Sequence, residues 1–148
     1  MKYLLDTNIV SEFYKPVPDS SVVAWFMKQD PSAIYLTAIT IGEIRKGIEK
    51  KRLQSHYPTS VNRFIDALAH MELTYAGRIW SFDQRVAHVW ASIALHYPDK
   101  ILDTQIAAIA LANDAVLVTR DQDFINIAQK IAPLGIALPL VNPFDVIR

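Results

Sequence analysis

Tyr3-Leu4-Leu5-Asp6-Thr7-Asn8 is the stretch that decides the fold, because a short apolar run ends there abruptly in an acid. An apolar run without polar alternation is typical of a strand that is buried on both faces of a parallel sheet. Similar runs occur at residues 33–37 and 115–119, and segments with apolar residues at helical spacing lie between them. The sequence therefore predicts an α/β fold with a central, mostly parallel sheet covered by helices on both faces.

Three further segments complete this prediction. Residues 101–113 are apolar nearly all round, which is typical of a buried helix. Residues 79–82 are expected to form a short strand. Residues 137–141 are expected to form an edge strand, since Pro139 has no N–H to donate to a neighbouring strand.

Size and composition narrow the possible functions. The chain has 148 residues, of which 51% are hydrophobic, so we expect residues 1–148 to form a single domain. The formal net charge is zero, which does not favour a long nucleic-acid footprint but permits a local basic patch. The chain has no cysteine, and this excludes disulfides, thiolate nucleophiles and cysteine-based zinc sites.

The location of the protein is predicted from its apolar stretches. Asp6 interrupts the first apolar run well before the roughly 7–15 residues that a signal peptide needs. No apolar stretch approaches the ~20 residues that span a bilayer. We therefore expect a cytoplasmic protein that does not enter a membrane.

Acidic side chains stand close to the end of each predicted central strand. Asp6 ends the first strand, Glu43 lies in the helix that follows the second, and Asp121 follows the third. Asp103 opens the buried helix that precedes the third strand. Because ligands of open parallel sheets bind at the carboxyl ends of the strands, we expect these four acids to converge there.

A cluster of carboxylates has a defined chemical use. Like charges a few ångström apart raise each other's pKa and oppose folding, so a cation is needed to offset them. Mg²⁺ or Mn²⁺ is suited to this role, because both prefer oxygen ligands. Such a metal activates a bound water and neutralises charge on a phosphoryl oxygen. The pattern therefore favours a metal-dependent nuclease that hydrolyses phosphodiesters.

Each acid also has a local explanation. Asp6 can cap the helix that follows it. Glu43 can pair with Lys46 or Lys50, which stand about one or two turns away on the same helix. Asp103 can be a first-turn charge that is favoured by the helix dipole. Only the occurrence of all these acids in register with the strand ends favours one common site.

The motifs together resemble the PIN-domain ribonucleases of the VapC toxin type, and most of all their FitB-like branch. The resemblance runs along the whole chain, and its motifs are specific in combination. The matching segments are residues 4–12, 40–48, 103–108, 117–121 and 141–144.

This resemblance implies a three-layer α/β/α fold and an endoribonuclease that depends on Mg²⁺ or Mn²⁺. It also implies a homodimer that is neutralised by a cognate antitoxin protein and contacts DNA only through that antitoxin. Asp6, Glu43 and Asp103 match acids that are invariant in the family. Thr7 matches a residue that supports the first acid, and Thr119 matches one that orders the last loop.

The fourth acid is less sharply defined. The family commonly has one more residue in the loop that corresponds to Asp121-Gln122-Asp123-Phe124. The spacing from Asp103 favours Asp121 as the fourth metal ligand, with Asp123 as the alternative. Both can also be ordinary turn residues with capping roles.

Basic residues cluster after Glu43. Arg45, Lys46 and Lys50, with the neighbouring residues 51–52, can hold an RNA backbone beside the acids, and Arg120 can contact a phosphate. Alternatively, the cluster is a solvated helix end, where cations are favoured by the helix dipole.

Other functions remain to be weighed against a ribonuclease. A haloacid-dehalogenase-type phosphatase needs a second Asp where Asn8 stands, and a dinucleotide-binding enzyme needs glycines in the first turn, which has none. Two alternatives stay open: a PIN-fold binding module without catalysis, and a PIN nuclease that acts on DNA.

Overall fold

The computed structural model describes residues 1–145, and its strands form one parallel sheet. In chain order they are β1 (Lys2–Leu5), β2 (Ile34–Thr37), β3 (Ile79–Trp80), β4 (Ala115–Val118) and β5 (Leu140–Val141). Across the sheet the order is β3-β2-β1-β4-β5, so the first strand lies at the centre. The carboxyl ends of β1, β2 and β4 therefore meet at one edge of the molecule.

Helices connect the strands. They are α1 (Thr7–Glu12), α2 (Ser20–Met27), α3 (Ala38–Gln54), α4 (Asn62–Thr74), α5 (Gln84–Ala94), α6 (Ile101–Ala112) and α7 (Gln122–Ile131). Within residues 1–145, no helix combines the length with the apolar character that crossing a membrane requires.

The two faces of the sheet bury different cores. Leu4 points into a core that is shared with α5, α6 and α7, whereas its neighbour Leu5 points into a core shared with α1 and α2. Ile41 and Ile44 of α3 and Met71 of α4 pack against the second core. This alternation of side chains along a central strand produces three layers, with helices on both faces. The predicted α/β/α fold is confirmed.

The structure moves some predicted boundaries. Residues 33–37 were expected to form a strand, but its last residue also begins the next helix: the Thr37 hydroxyl caps α3 by accepting the Thr40 N–H at 2.9 Å. The predicted strand over residues 79–82 shortens to Ile79–Trp80. The last strand is an edge strand, as predicted, but it begins only after Pro139, whose carbonyl accepts from the Leu117 N–H at 2.9 Å.

Candidate active site

Asp6 is the most deeply buried acid at the carboxyl edge of the sheet. It stands between β1 and α1 and is only 4% exposed. Although it occupies the N-cap position of α1, its side chain makes no capping hydrogen bond. Instead its Oδ2 accepts a hydrogen bond of 2.9 Å from the Thr119 hydroxyl. The capping explanation for this residue is therefore wrong.

The surroundings of Asp6 penalise its negative charge. Its pKa is raised from an ordinary value of 3.8 to about 6, mainly by burial and also by the charges of Asp121 and Asp103, while the hydrogen bond from Thr119 opposes the shift. A raised carboxylate pKa beside other acids is typical of functional sites. The side chain lies where a cation would be most favourable.

Glu43 is held by a chain of threonine hydroxyls. The Thr7 hydroxyl donates to Glu43 Oε1 at 2.6 Å, and the hydroxyls of Thr7 and Thr40 lie 3.0 Å apart. Thr37 donates to Thr40 at 3.1 Å. Because Thr7 has one proton and gives it to Glu43, Thr40 must donate to Thr7, so the three hydroxyls point in one direction toward the carboxylate.

Thr7 lies close to two of the acids. Its hydroxyl donates to Glu43, and its backbone N–H lowers the pKa of Asp6. Glu43 belongs to none of the ion pairs found in residues 1–145, so the suggested pairing with Lys46 or Lys50 is not formed there. Sequence reasoning missed the part played by Thr40, although a spacing of three residues from Glu43 places both on one helix face.

Asp103 lies in the first turn of α6 and is partly exposed. Burial raises its pKa, and the charges of Asp121 and Asp123 raise it further, whereas Lys100 opposes the shift. Glu43 also contributes to the increase. The electrostatic coupling of these acids places them in one neighbourhood, as the strand pattern predicts.

Asp121 and Asp123 have different partners. Asp121 is the N-cap of α7: its Oδ1 accepts the Asp123 N–H at 2.9 Å, and its own N–H donates to the Thr119 hydroxyl at 2.9 Å. Asp123 instead forms an ion pair of 2.7 Å with Lys100. Asn8, whose amide lies 3.5 Å from Asp121 Oδ2, is a neighbour of the site that the sequence did not suggest.

Thr119 links the first acid to the last loop. It is buried, and its hydroxyl donates to Asp6 while it accepts from the Asp121 backbone. One side chain therefore fixes both the rotamer of Asp6 and the position of Asp121.

The predicted basic residues lie in several environments. Arg45 pairs with Glu49 at 2.7 Å, and the guanidinium of Arg120 lies 4.1 Å from the centre of the Phe144 ring. Lys46 and Lys50 are exposed on α3. The charge of Arg45 is thus partly offset within its own helix.

The acids provide suitable donors for a hard cation. Mg²⁺ and Mn²⁺ prefer carboxylate oxygens, and the four acids offer them. Over residues 1–145, however, no three acidic or histidine side chains are already arranged closely enough to hold a metal. The donor chemistry fits, whereas the spacing requires bridging waters or rotation of the carboxylates. Mg²⁺ commonly keeps several waters in its protein sites.

Comparison with known proteins gives consistent matches. The family model described as "PIN domain" matches residues 3–130. "VapC ribonuclease Y4jK" of Sinorhizobium fredii is 29% identical, and the match covers 96% of this chain and 97% of the relative. "Toxin FitB" of Neisseria gonorrhoeae is 35% identical, with 80% and 86% covered. "Plasmid stability protein StbB" of Pseudomonas syringae is 32% identical, with 96% and 98% covered.

Solved structures resemble the whole chain. The structure described as "FitAcB from Neisseria gonorrhoeae" superposes with a TM-score of 0.79 at 29% identity and covers 97% of this chain and 99% of its own. "FitAB bound to IR36 DNA fragment" gives a TM-score of 0.78 at 29% identity, with 99% and 98% covered.

Proposed function

The chain belongs to the PIN-domain family, and from this premise we propose that it is a metal-dependent endoribonuclease that acts as the toxin of a toxin–antitoxin pair. The observation that carries the proposal is the coupling of four acids at the carboxyl edge of the sheet, where neighbouring charges raise the pKa of both Asp6 and Asp103. The names of the relatives support the same reading.

Asp6, Glu43, Asp103 and Asp121 would hold Mg²⁺ or Mn²⁺. When bound, the cation supplies an activated water and neutralises charge on the scissile phosphate. Thr119 orients Asp6, and Thr7 orients Glu43, so both acids keep defined rotamers. Since the pKa of Asp6 is about 6, its proton is largely lost at neutral pH and its oxygens are free to bind the cation.

The toxin role implies protein partners. We propose that a cognate antitoxin covers the protein and that the toxin forms a homodimer. The two N. gonorrhoeae structures concern FitAB-type assemblies, one of them with a DNA fragment. For this chain we propose contact with DNA only through the antitoxin.

The decisive experiment measures cleavage of end-labelled RNA with Mg²⁺ or Mn²⁺. We expect Asp6→Asn and Asp103→Asn each to lower the rate by more than about 100-fold, since even outer-shell partners of metal ligands are worth 10- to 100-fold. Asp66→Asn is the matched control, because it removes one exposed carboxylate from α4. Circular dichroism would verify that each variant is folded.

The same assay separates the alternatives. Cleavage of single-stranded DNA without cleavage of RNA would favour the DNA nuclease. A folded protein that cleaves neither substrate with either metal would favour the binding module. Normal RNA cleavage by Asp103→Asn would overturn the proposed site.

A further inference from the structure

A cleft of about 910 Å³ opens beside Glu43 and runs between α1, α3 and α4. Thr7 and Glu43 line one part of it, so the cleft is continuous with the candidate active site. Lys51, Arg63 and Phe64 line another part. We call this feature the α3–α4 cleft.

Two cations of the α3–α4 cleft are placed by an aromatic ring. Lys51 Nζ lies 4.8 Å and Arg63 Cζ 4.7 Å from the centre of the Phe64 ring. Across residues 1–145, neither cation lies within ion-pair distance of a carboxylate. A ring attracts a cation without cancelling its charge, whereas a carboxylate would neutralise it. Both side chains therefore keep their positive charge toward solvent.

Two arginines of α3 outside the cleft, in contrast, do have a carboxylate partner. Arg45 and Arg52 both pair with Glu49, at 2.7 Å and 3.2 Å. Lys15 also lines the cleft, but it forms an ion pair of 2.6 Å with the buried Glu12. The uncompensated charge of the cleft thus comes from Lys51 and Arg63, while Glu43 is its one acidic lining residue among those described.

Partly exposed aromatic rings also line the cleft. Phe13 is 38% exposed, and it lines the cleft together with Tyr14. Grooves that combine cations with aromatic rings are typical of single-strand binding, because cations contact phosphates and bases stack on the rings. The net charge of the whole chain is zero, so the positive charge of the cleft is a local excess.

We propose that the α3–α4 cleft binds the single-stranded RNA on one side of the scissile phosphate, with Lys51 and Arg63 as phosphate contacts. This inference rests on the proposed ribonuclease function and names the path of its substrate. A strand that leaves the acids past Glu43 enters the cleft directly, and its next phosphates reach the two cations flanking Phe64. Charge complementarity and continuity with the site favour this occupant over a protein segment.

The test measures the salt dependence of RNA binding. A short fluorescein-labelled oligoribonucleotide that the unaltered protein cleaves is titrated against Asp103→Asn protein, which retains the cleft but is expected not to cleave. Each phosphate contact to a single strand contributes about 0.7 to the slope of log affinity against log salt. Adding Lys51→Gln and Arg63→Gln should make the slope shallower, reducing its magnitude by about 1.4. Glutamine keeps part of each aliphatic stem against Phe64, so folding should be preserved.

Two control variants sharpen the outcome. Lys28→Gln, at the end of α2 and outside the cleft, should leave the slope unchanged. Lys46→Gln with Lys50→Gln tests the other exposed face of α3. If this pair lowers the slope and the Lys51/Arg63 pair does not, the strand follows that face and the inference is overturned.

Other results would also contradict the proposal. An unchanged slope, together with loss of binding to the antitoxin in the Lys51/Arg63 variant, would show that the cleft seats a protein segment instead. If the unaltered protein neither binds nor cleaves RNA, the ribonuclease function and the cleft assignment both fail. RNA cleavage by the unaltered protein with an unchanged slope in the variant overturns the cleft assignment alone.

Discussion

Asp6 combines two properties that oppose each other in the folded chain without metal. Its carboxylate is almost fully buried, yet its single side-chain hydrogen bond, from Thr119, offsets only part of the cost of burying a charge. Asp121 and Asp103 add negative potential. The residue therefore costs stability whenever it is ionised and no cation is bound.

The pH dependence follows from the direction of this shift. The folded-state pKa of about 6 lies above the ordinary 3.8, so the contribution of Asp6 to stability is complete below pH 3.8 and is lost as the pH rises through 6. We expect Asp6→Asn to stabilise the metal-free protein by roughly 2.5 kcal/mol more at pH 7 than at pH 4, at about 1.4 kcal/mol per pKa unit and with the unfolded carboxyl already partly ionised at pH 4. Urea unfolding in the presence of a chelator measures this difference.

Asparagine is the appropriate replacement, because its side-chain oxygen can still accept the hydrogen bond from Thr119. The exposed Asp66→Asn variant controls for the loss of one negative charge. A free-energy difference between Asp6→Asn and the unaltered protein that is equal at pH 4 and pH 7 would contradict the assignment of a raised pKa.

At the scale of elements, the connection between β4 and α7 carries the two candidates for the fourth acid. The sequence left Asp121 and Asp123 as alternatives, because either can be a turn residue. The structure gives Asp123 a partner, Lys100, whereas Asp121 caps α7 and is tied to Thr119. These contacts depend on where α7 begins and on a lysine that stands before α6, and local sequence specifies neither.

The two loop acids should therefore differ in a cleavage assay. We expect Asp121→Asn to reduce metal-dependent RNA cleavage strongly and Asp123→Asn to reduce it little. Asparagine is about as good an N-cap as aspartate, so Asp121→Asn removes the charge while it keeps α7 capped. Asp123→Asn loses only a partly exposed ion pair, which is worth about 0–1 kcal/mol.

Rates with Mg²⁺, and melting temperatures of both variants, provide the measurement. A larger loss of rate in Asp123→Asn, at similar stability, would instead make Asp123 the fourth ligand.

The edges of elements were harder to predict than their existence. Residues 33–37 were correctly predicted to contain a strand, but Thr37 is both the last residue of β2 and the N-cap of α3. A threonine hydroxyl can accept a backbone N–H or lie in a strand, and only its contact with Thr40 decides. The pairing of Arg45 with Glu49, in contrast, follows the simple rule of four-residue spacing on one helix, because Glu49 is the one acid at helical spacing from Arg45.

At the scale of the whole molecule, the parallel sheet explains why the acids could be grouped from sequence. Parallel strands end at the same edge, so acids that follow β1, β2 and β4 converge whatever the details of the helices. The α3–α4 cleft could not be predicted in this way. It arises where α1, α3 and α4 leave space between them, and the approach of Lys51 of α3 to the Phe64 ring of α4 is a tertiary contact between two helices.

The proposed cation links the site to the stability of the molecule. A ligand that binds only the folded state stabilises it by about 2.7 kcal/mol at a concentration 100 times its dissociation constant. For a chain of about 150 residues, each kcal/mol raises the melting temperature by roughly 2–4 °C. We therefore expect saturating Mn²⁺ or Mg²⁺ to raise the melting temperature by about 5–11 °C, after the carboxylates have been drawn together around the ion.

Comparison of variants shows whether this rise in melting temperature comes from metal binding at the four acids. In Asp103→Asn the rise should shrink markedly, because one carboxylate donor is lost, whereas Asp66→Asn should keep it. Potassium chloride at matched ionic strength separates a bound ion from general screening, since screening acts on exposed charges and needs no specific donor. If the melting temperature rose equally in Asp103→Asn and in the unaltered protein, the ion would bind elsewhere and the proposed metal site would be wrong.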